Sequence, residues 1–160
     1  MKYSLLVGLV WLVGCTQTSP VPLYVEDRVF VWGEIQTTPD LPVEQWDWSA
    51  ADAVLAKYDQ PISLAIWPYA LWDQASCHAL WSTVITTYGI HFQAPYPVCD
   101  ETAYQYWLTQ IEERYGDQVA DWRVIDDHQQ QEPPLANFIG SEEDYSRLVD
   151  LTKTVIMDTL

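Results

Sequence analysis

Two internal cysteines, three histidines and a pair of adjacent carboxylates are the side chains of this sequence with the most chemistry to offer. Asp126-Asp127-His128 follows the apolar stretch Trp122-Arg123-Val124-Ile125. Carboxylates beside an imidazole can hold a divalent cation, but consecutive residues of a strand point to opposite faces, so these three do not converge on one ion. His78, His91 and His128 lie among many acids, yet no serine sits in a nucleophile-elbow pattern, and Ser/His/Asp chemistry finds no support. With only 6 Gly in the chain there is no Gly-rich phosphate loop. Cys77 and Cys99 are expected to form a disulfide rather than a metal pair if the compartment is oxidising. No further Cys or His pair stands at structural-zinc spacing, and His78 beside Cys77 is the one hint of a metal ligand. No cofactor is expected.

The first residues indicate the compartment. Met1-Lys2 supplies a positive start, and Leu5 to Val13 is an apolar run interrupted only by Gly8. The run is shorter than the roughly 20 residues of a spanning helix and fits a secretory signal. Leu12-Val13-Gly14-Cys15 resembles the bacterial lipobox. That resemblance implies cleavage before Cys15 and acylation of it, so that Cys15 anchors the chain to a lipid bilayer. Several acyl chains, at about 0.8 kcal/mol per buried CH₂, hold far more firmly than one. Thr16 fits sorting to an outer membrane. The expected location is the cell envelope, with residues 1–14 a signal peptide, 15–22 a tether and 23–160 a single domain.

Composition limits the partners. The chain has 160 residues, 49% hydrophobic, with 9 Trp, 10 Tyr and 3 Phe, too aromatic for a disordered polymer. A formal charge of −16 leaves no clustered Lys and Arg to neutralise phosphates, which argues against nucleic acid. It equally opposes docking on an anionic membrane through side chains, so the acidity reads as a solvated surface.

The mature chain alternates short elements. Val25 to Trp32 reads as a strand closed by Gly33, and 49–58 as a helix with Ser49 as N-cap, ended before Pro61. Ile62 to Trp67 is nearly continuous apolar, as in a parallel strand covered on both faces. Pro68 to Pro97 is a long aromatic segment with a short helix expected near 76–88, and a loop of that length suggests function. Tyr104, Trp107, Leu108, Ile111 and Tyr115 form one helical stripe ending at Gly116, with Asp100 as N-cap. Val119 to Ile125 reads as a strand, and Ser141-Glu142-Glu143-Asp144 as a capping box opening an amphipathic helix. Strand and helix in alternation predict an α/β fold with a parallel sheet.

Several stretches resemble clan A glycoside hydrolases. These are Trp32-Gly33-Glu34-Ile35-Gln36 with Trp46-Asp47-Trp48-Ser49 and Asp52, then Ile66-Trp67-Pro68-Tyr69-Ala70-Leu71-Trp72-Asp73-Gln74. Cys99-Asp100 with Tyr104, Ile111 to Asp117, and Gly140 to Tyr145 follow in the family's order. The likeness covers about 29–157. It implies a (β/α)8 TIM-barrel-like parallel sheet, present here only as about strands two to four with their helices. A complete barrel takes roughly 250 residues. It also implies a sugar cleft at the carboxyl ends of the strands, with Trp32, Trp67, Trp72 and Asp73 as candidate substrate-binding residues.

The family's acid/base position, W-E-V-x-N-E-P, aligns with Trp122 to His128. Asp127 stands in place of the catalytic Glu, Asp126 in place of the sugar-binding Asn, and His128 in place of Pro. Asp127 is one methylene shorter, and a displacement of about 1 Å can cost about 10²-fold in rate. Asp126 has no amide N–H to donate. A retaining enzyme also needs a second carboxylate about 5 Å from the first, and the family takes it from the seventh strand, which these residues do not include. The expectation is therefore a lipid-anchored, truncated glycoside hydrolase-like protein without hydrolase activity. The alternative is a non-enzymatic surface lipoprotein whose aromatic loop binds oligosaccharide or a partner protein. Open sheet edges further suggest self-association.

Overall fold

The structure, a computed structural model, describes residues 21–78, 96–125 and 138–156. In chain order its elements are β1 (Leu23–Tyr24), β2 (Phe30–Val31), the single-turn helix α1 (Trp32–Ile35), a 3-10 turn (Val43–Gln45), α2 (Ser49–Leu55), β3 (Ile62–Trp67), α3 (Leu71–Cys77), α4 (Glu101–Tyr115), β4 (Val119–Val124) and α5 (Glu142–Ile156). All strand pairs are parallel, so the class is α/β with one small open sheet.

β3 organises this sheet. β1 pairs with Ile62 and Ser63, β2 with Ile66 and Trp67, and β4 runs along Ile62 to Ile66. A strand has only two edges, and Ile62, Ser63 and Ile66 each pair with β4 as well as with β1 or β2. β1 and β2 therefore share the edge opposite β4. They are two pieces of one interrupted strand, and the sheet is three strands wide. The sequence pattern predicted a single strand within 25–32. Pairing instead begins at Leu23 and breaks where Glu26, Asp27 and Arg28 stand exposed between buried Val25 and Val29. Three successive charged residues have nothing to gain from a covered ladder, so the chain leaves it and returns.

Alternation in β3 gives the sheet two different faces. Ile62, Leu64 and Ile66 point to the helices, where Phe30, opposite Ile66, meets Tyr115 and Trp122 edge-on at 5.2 Å each. Ser63 belongs to the other face and starts a polar layer: its hydroxyl donates to Asp121 at 2.6 Å and accepts from Arg123 Nε at 3.1 Å. The Arg123 guanidinium also donates to the Val25 carbonyl at 3.0 Å and lies 3.8 Å from the centre of the Tyr24 ring. One arginine thus crosses β3 and ties β4 to the far strand.

Most helix ends follow the sequence. Asp100 caps α4 by accepting the Ala103 N–H at 2.9 Å, and the buried stripe of α4 is Tyr104, Trp107, Leu108, Ile111 and Tyr115. Ser141 and Asp144 cap α5 reciprocally, each accepting the other's backbone N–H. One expectation needs correction. Ser49 is not the N-cap of α2; it is the first helical residue, and its N–H is taken by the Asp47 carboxylate at 2.9 Å. A helix that the sequence did not mark spans Leu71–Cys77, while the short helix expected near 76–88 lies almost wholly outside the described residues.

Asp52 joins α2 to α4. It accepts from the Tyr115 hydroxyl at 2.7 Å and from Arg114 at 2.9 Å. The Tyr115 bond, the largest influence, holds the Asp52 carboxyl below its ordinary range; burial opposes it next, and Arg114 adds to the lowering. Folded protein therefore releases this proton more readily than unfolded chain, so Asp52 stabilises above the unfolded value of about 3.9 and loses that contribution as pH falls through the lowered one. Asp52→Asn should lower Tm at neutral pH, and the gap to the parent should close as melts are repeated down to about pH 3.

Candidate functional site

Parallel strands bring their carboxyl ends to one edge, where open α/β sheets bind ligands. Trp32 follows β2, Trp67 ends β3, and Trp72 and Asp73 lie one turn beyond it. Ile125 follows β4 and immediately precedes Asp126 and Asp127. Asp126, Asp127, His128 and Cys15 fall outside the described residues.

Close contact between the first two strand ends depends on a glycine. The Gly33 N–H donates to the Tyr69 carbonyl at 2.7 Å, and a Cβ on Gly33 would come within 2.8 Å of the Ala70 Cα. Only a residue without a side chain lets these two turns pass so closely.

Trp32 and Trp72 are held together by Gln36. The Trp32 Nε1–H donates to the Gln36 side-chain oxygen at 2.9 Å, and the Trp72 Nε1–H to the Gln36 carbonyl at 2.9 Å. The two rings meet edge-on at 4.7 Å, with Tyr104 and Trp107 against the far side of Trp32. Trp32 is fully enclosed and presents no ring face to a ligand, whereas Trp72 is half-buried. Sequence reasoning passed over Gln36, although its place four residues after Trp32 on one helical turn is the spacing at which side chains meet.

Trp67 lies elsewhere. It is buried, and the Arg28 guanidinium stands 3.8 Å from the centre of its ring. One face of this indole therefore already carries a cation. Its Nε1–H is buried without a hydrogen-bond partner among the described residues. Arg28 had no signal in the sequence, since it comes from the charged excursion that interrupts the first strand.

Asp73 is a clamp. It is 1% exposed, and its two carboxylate oxygens accept the N–H groups of Cys99 at 3.0 Å and Asp100 at 2.8 Å. Burial pushes its carboxyl upward, and the two N–H bonds oppose that push. Gln74, also buried, accepts the Tyr96 N–H at 2.6 Å. α3 thus grips residues 96–100, the segment that caps and starts α4. The Cys77–Cys99 disulfide closes the same junction, as expected from the sequence. Among the described residues, Asp73 is the one carboxylate of the proposed cleft, and both its oxygens are occupied.

Ile125 has φ 50°, with its N–H bonded to the Ile66 carbonyl at 2.7 Å. A β-branched residue in the left-handed region carries strain of about 1–3 kcal/mol, and such residues cluster where a chain must aim the next side chains. The strain falls directly before Asp126 in the chain.

Comparison with known proteins finds no matching family model, no matching curated protein and no matching solved structure.

If Asp73 holds this junction, Asp73→Ala should strand the Cys99 and Asp100 amides at about 1–3 kcal/mol each where they are kept from water. The urea midpoint should fall accordingly even with the disulfide intact. An unchanged midpoint would remove Asp73 from this role.

Proposed function

We propose that the chain is a lipid-anchored envelope protein of glycoside hydrolase-like build that contacts glycan at the carboxyl ends of its strands without hydrolysing it. The supporting observation is the left-handed Ile125 directly before Asp126-Asp127, at the end of a parallel strand. Strain there suits a strand end shaped to present side chains at a cleft. The Cys15 anchor and the barrel-like context rest on the sequence motifs, with which three parallel strand positions in chain order agree.

Chemistry in this reading stops at binding. Asp126 and Asp127 put two like charges side by side where a hydrolase needs an amide donor and a longer acid. Like charge raises a neighbouring carboxyl's pKa, which would keep a proton on one of them but supplies no donor for a sugar 2-hydroxyl. Asp73 cannot act as second carboxylate while it holds two backbone N–H groups. Of the aromatic candidates, Trp72 is best suited to a pyranose face, because Trp32 is enclosed and Trp67 is covered by Arg28. No strand pairs with the outer edge of β4 among the described residues, which suits association with a second copy or further strands.

The test is a pair of measurements on the mature chain with a panel of neutral oligosaccharides. Reducing ends should not rise above the blank, and Trp fluorescence should respond to at least one sugar with a response that Trp72→Ala weakens. Sugar release abolished by Asp127→Ala would overturn the claim of inactivity. Silence of the fluorescence across the panel would overturn the claim of glycan contact.

A further inference from the structure

We propose that Cys77, His78 and Cys99 form a zinc-class metal site that the disulfide keeps closed and that reduction opens. The two sulfurs and a ring nitrogen of His78 all lie within 4.8 Å of one another. Two thiolates and one imidazole are a donor set that favours zinc over calcium or magnesium and leaves a fourth position open.

What makes this more than a chance grouping is the support around it. Removing the S–S bond would not release Cys99 from α3, because Asp73 still holds the Cys99 and Asp100 N–H groups and Gln74 still holds the Tyr96 N–H. The two Cα atoms are 5.9 Å apart. Zinc–sulfur bonds of about 2.3 Å in a tetrahedron place two sulfurs about 3.8 Å apart, within reach of side-chain rotation from such a backbone. His78 is fixed as well. Its Nε2 lies 2.7 Å from the Pro97 carbonyl, which can only accept, so Nε2 carries the proton and Nδ1 keeps the lone pair. A backbone carbonyl holding one ring nitrogen while the other stays free is the usual outer support of a metal-bound histidine. Tyr96 stacks on the same ring at 4.8 Å.

Access is open. Cys77 is exposed, and a groove of about 440 Å³ lined by Cys77, His78, Tyr96, Pro97, Ile139 and Asp144 leads to the cluster. Asp144 adds negative charge at its rim.

The redox step balances with an external dithiol. Two electrons and two protons pass from the dithiol to the Cys77–Cys99 bond, giving two thiols, and the reductant leaves as its own disulfide. Each thiol then gives up its proton to solvent as the metal binds.

Cobalt(II) is a suitable probe, titrated into the full chain carrying Cys15→Ser so that no third thiol competes. After reduction with a phosphine, one equivalent should bind and give thiolate-to-cobalt charge-transfer absorption; the oxidised protein should give none. His78→Gln should weaken binding at least about tenfold, as loss of a ligand or its support does, with the near-ultraviolet circular dichroism of the oxidised protein unchanged. Cys77→Ser should reduce the charge-transfer intensity. The proposal fails if reduced protein shows no such absorption, if reduction alone collapses the tertiary signal, or if His78→Gln binds as tightly as the parent.

Discussion

Ile62–Trp67 is the segment on which the rest of the molecule depends. Among the described residues it is the strand to which every other strand is hydrogen-bonded, and all six of its residues are buried. A strand covered on both faces and both edges has no freedom to slip, because a shift of one residue would turn Ser63 and Ala65 into the helix layer and Leu64 into the polar one. Its carboxyl end is therefore a fixed point. From that point Tyr69 accepts the Gly33 N–H, Ala70 lies against Gly33, and α3 begins at Leu71 in the one position that carries Asp73 and Gln74 to residues 96–100.

The candidate cleft inherits this rigidity at a cost in exposed chemistry. Side chains that look like a sugar platform in the sequence are largely used to hold the strand ends together. Trp32 fills the space between β2, α3 and α4, Gln36 takes both indole N–H groups, and Asp73 anchors a backbone turn. Trp72 retains a half-exposed ring, and strained Ile125 stands at the end of β4. In the proposed reading, strand ends held this firmly accord with binding more than with turnover. The Cys77–Cys99 junction lies on the same α3 clamp, so a change of redox state there would act on a segment already held by hydrogen bonds.

The sequence was most legible where one physical requirement dominated. Continuous burial marked β3, a 3.6-residue stripe marked α4, and reciprocal Ser141–Asp144 capping marked the start of α5. It was least legible where side chains far apart in sequence compete for the same group. Nothing local announces that Asp73 would spend both oxygens on Cys99 and Asp100, or that Arg28 would settle on Trp67 after the chain leaves the sheet at Glu26. Arg123, buried within β4, is the group that crosses β3 to reach Val25 and Tyr24, and nothing in its neighbours along the chain announces this. The disulfide was readable from the cysteine count and the compartment expected from the first residues, whereas the histidine beside it gained meaning only from the Pro97 carbonyl.

Native-state hydrogen exchange, resolved by residue, tests the central role of β3 most directly. Amides of Ile62–Trp67 should exchange slowest in the protein, through global unfolding alone, with the Gly33 amide protected beside them and those of Glu26 to Arg28 exchanging freely. Exchange along β3 as fast as in that charged excursion would contradict the account, since no fixed strand end would then remain to position Gly33, α3 or the cleft.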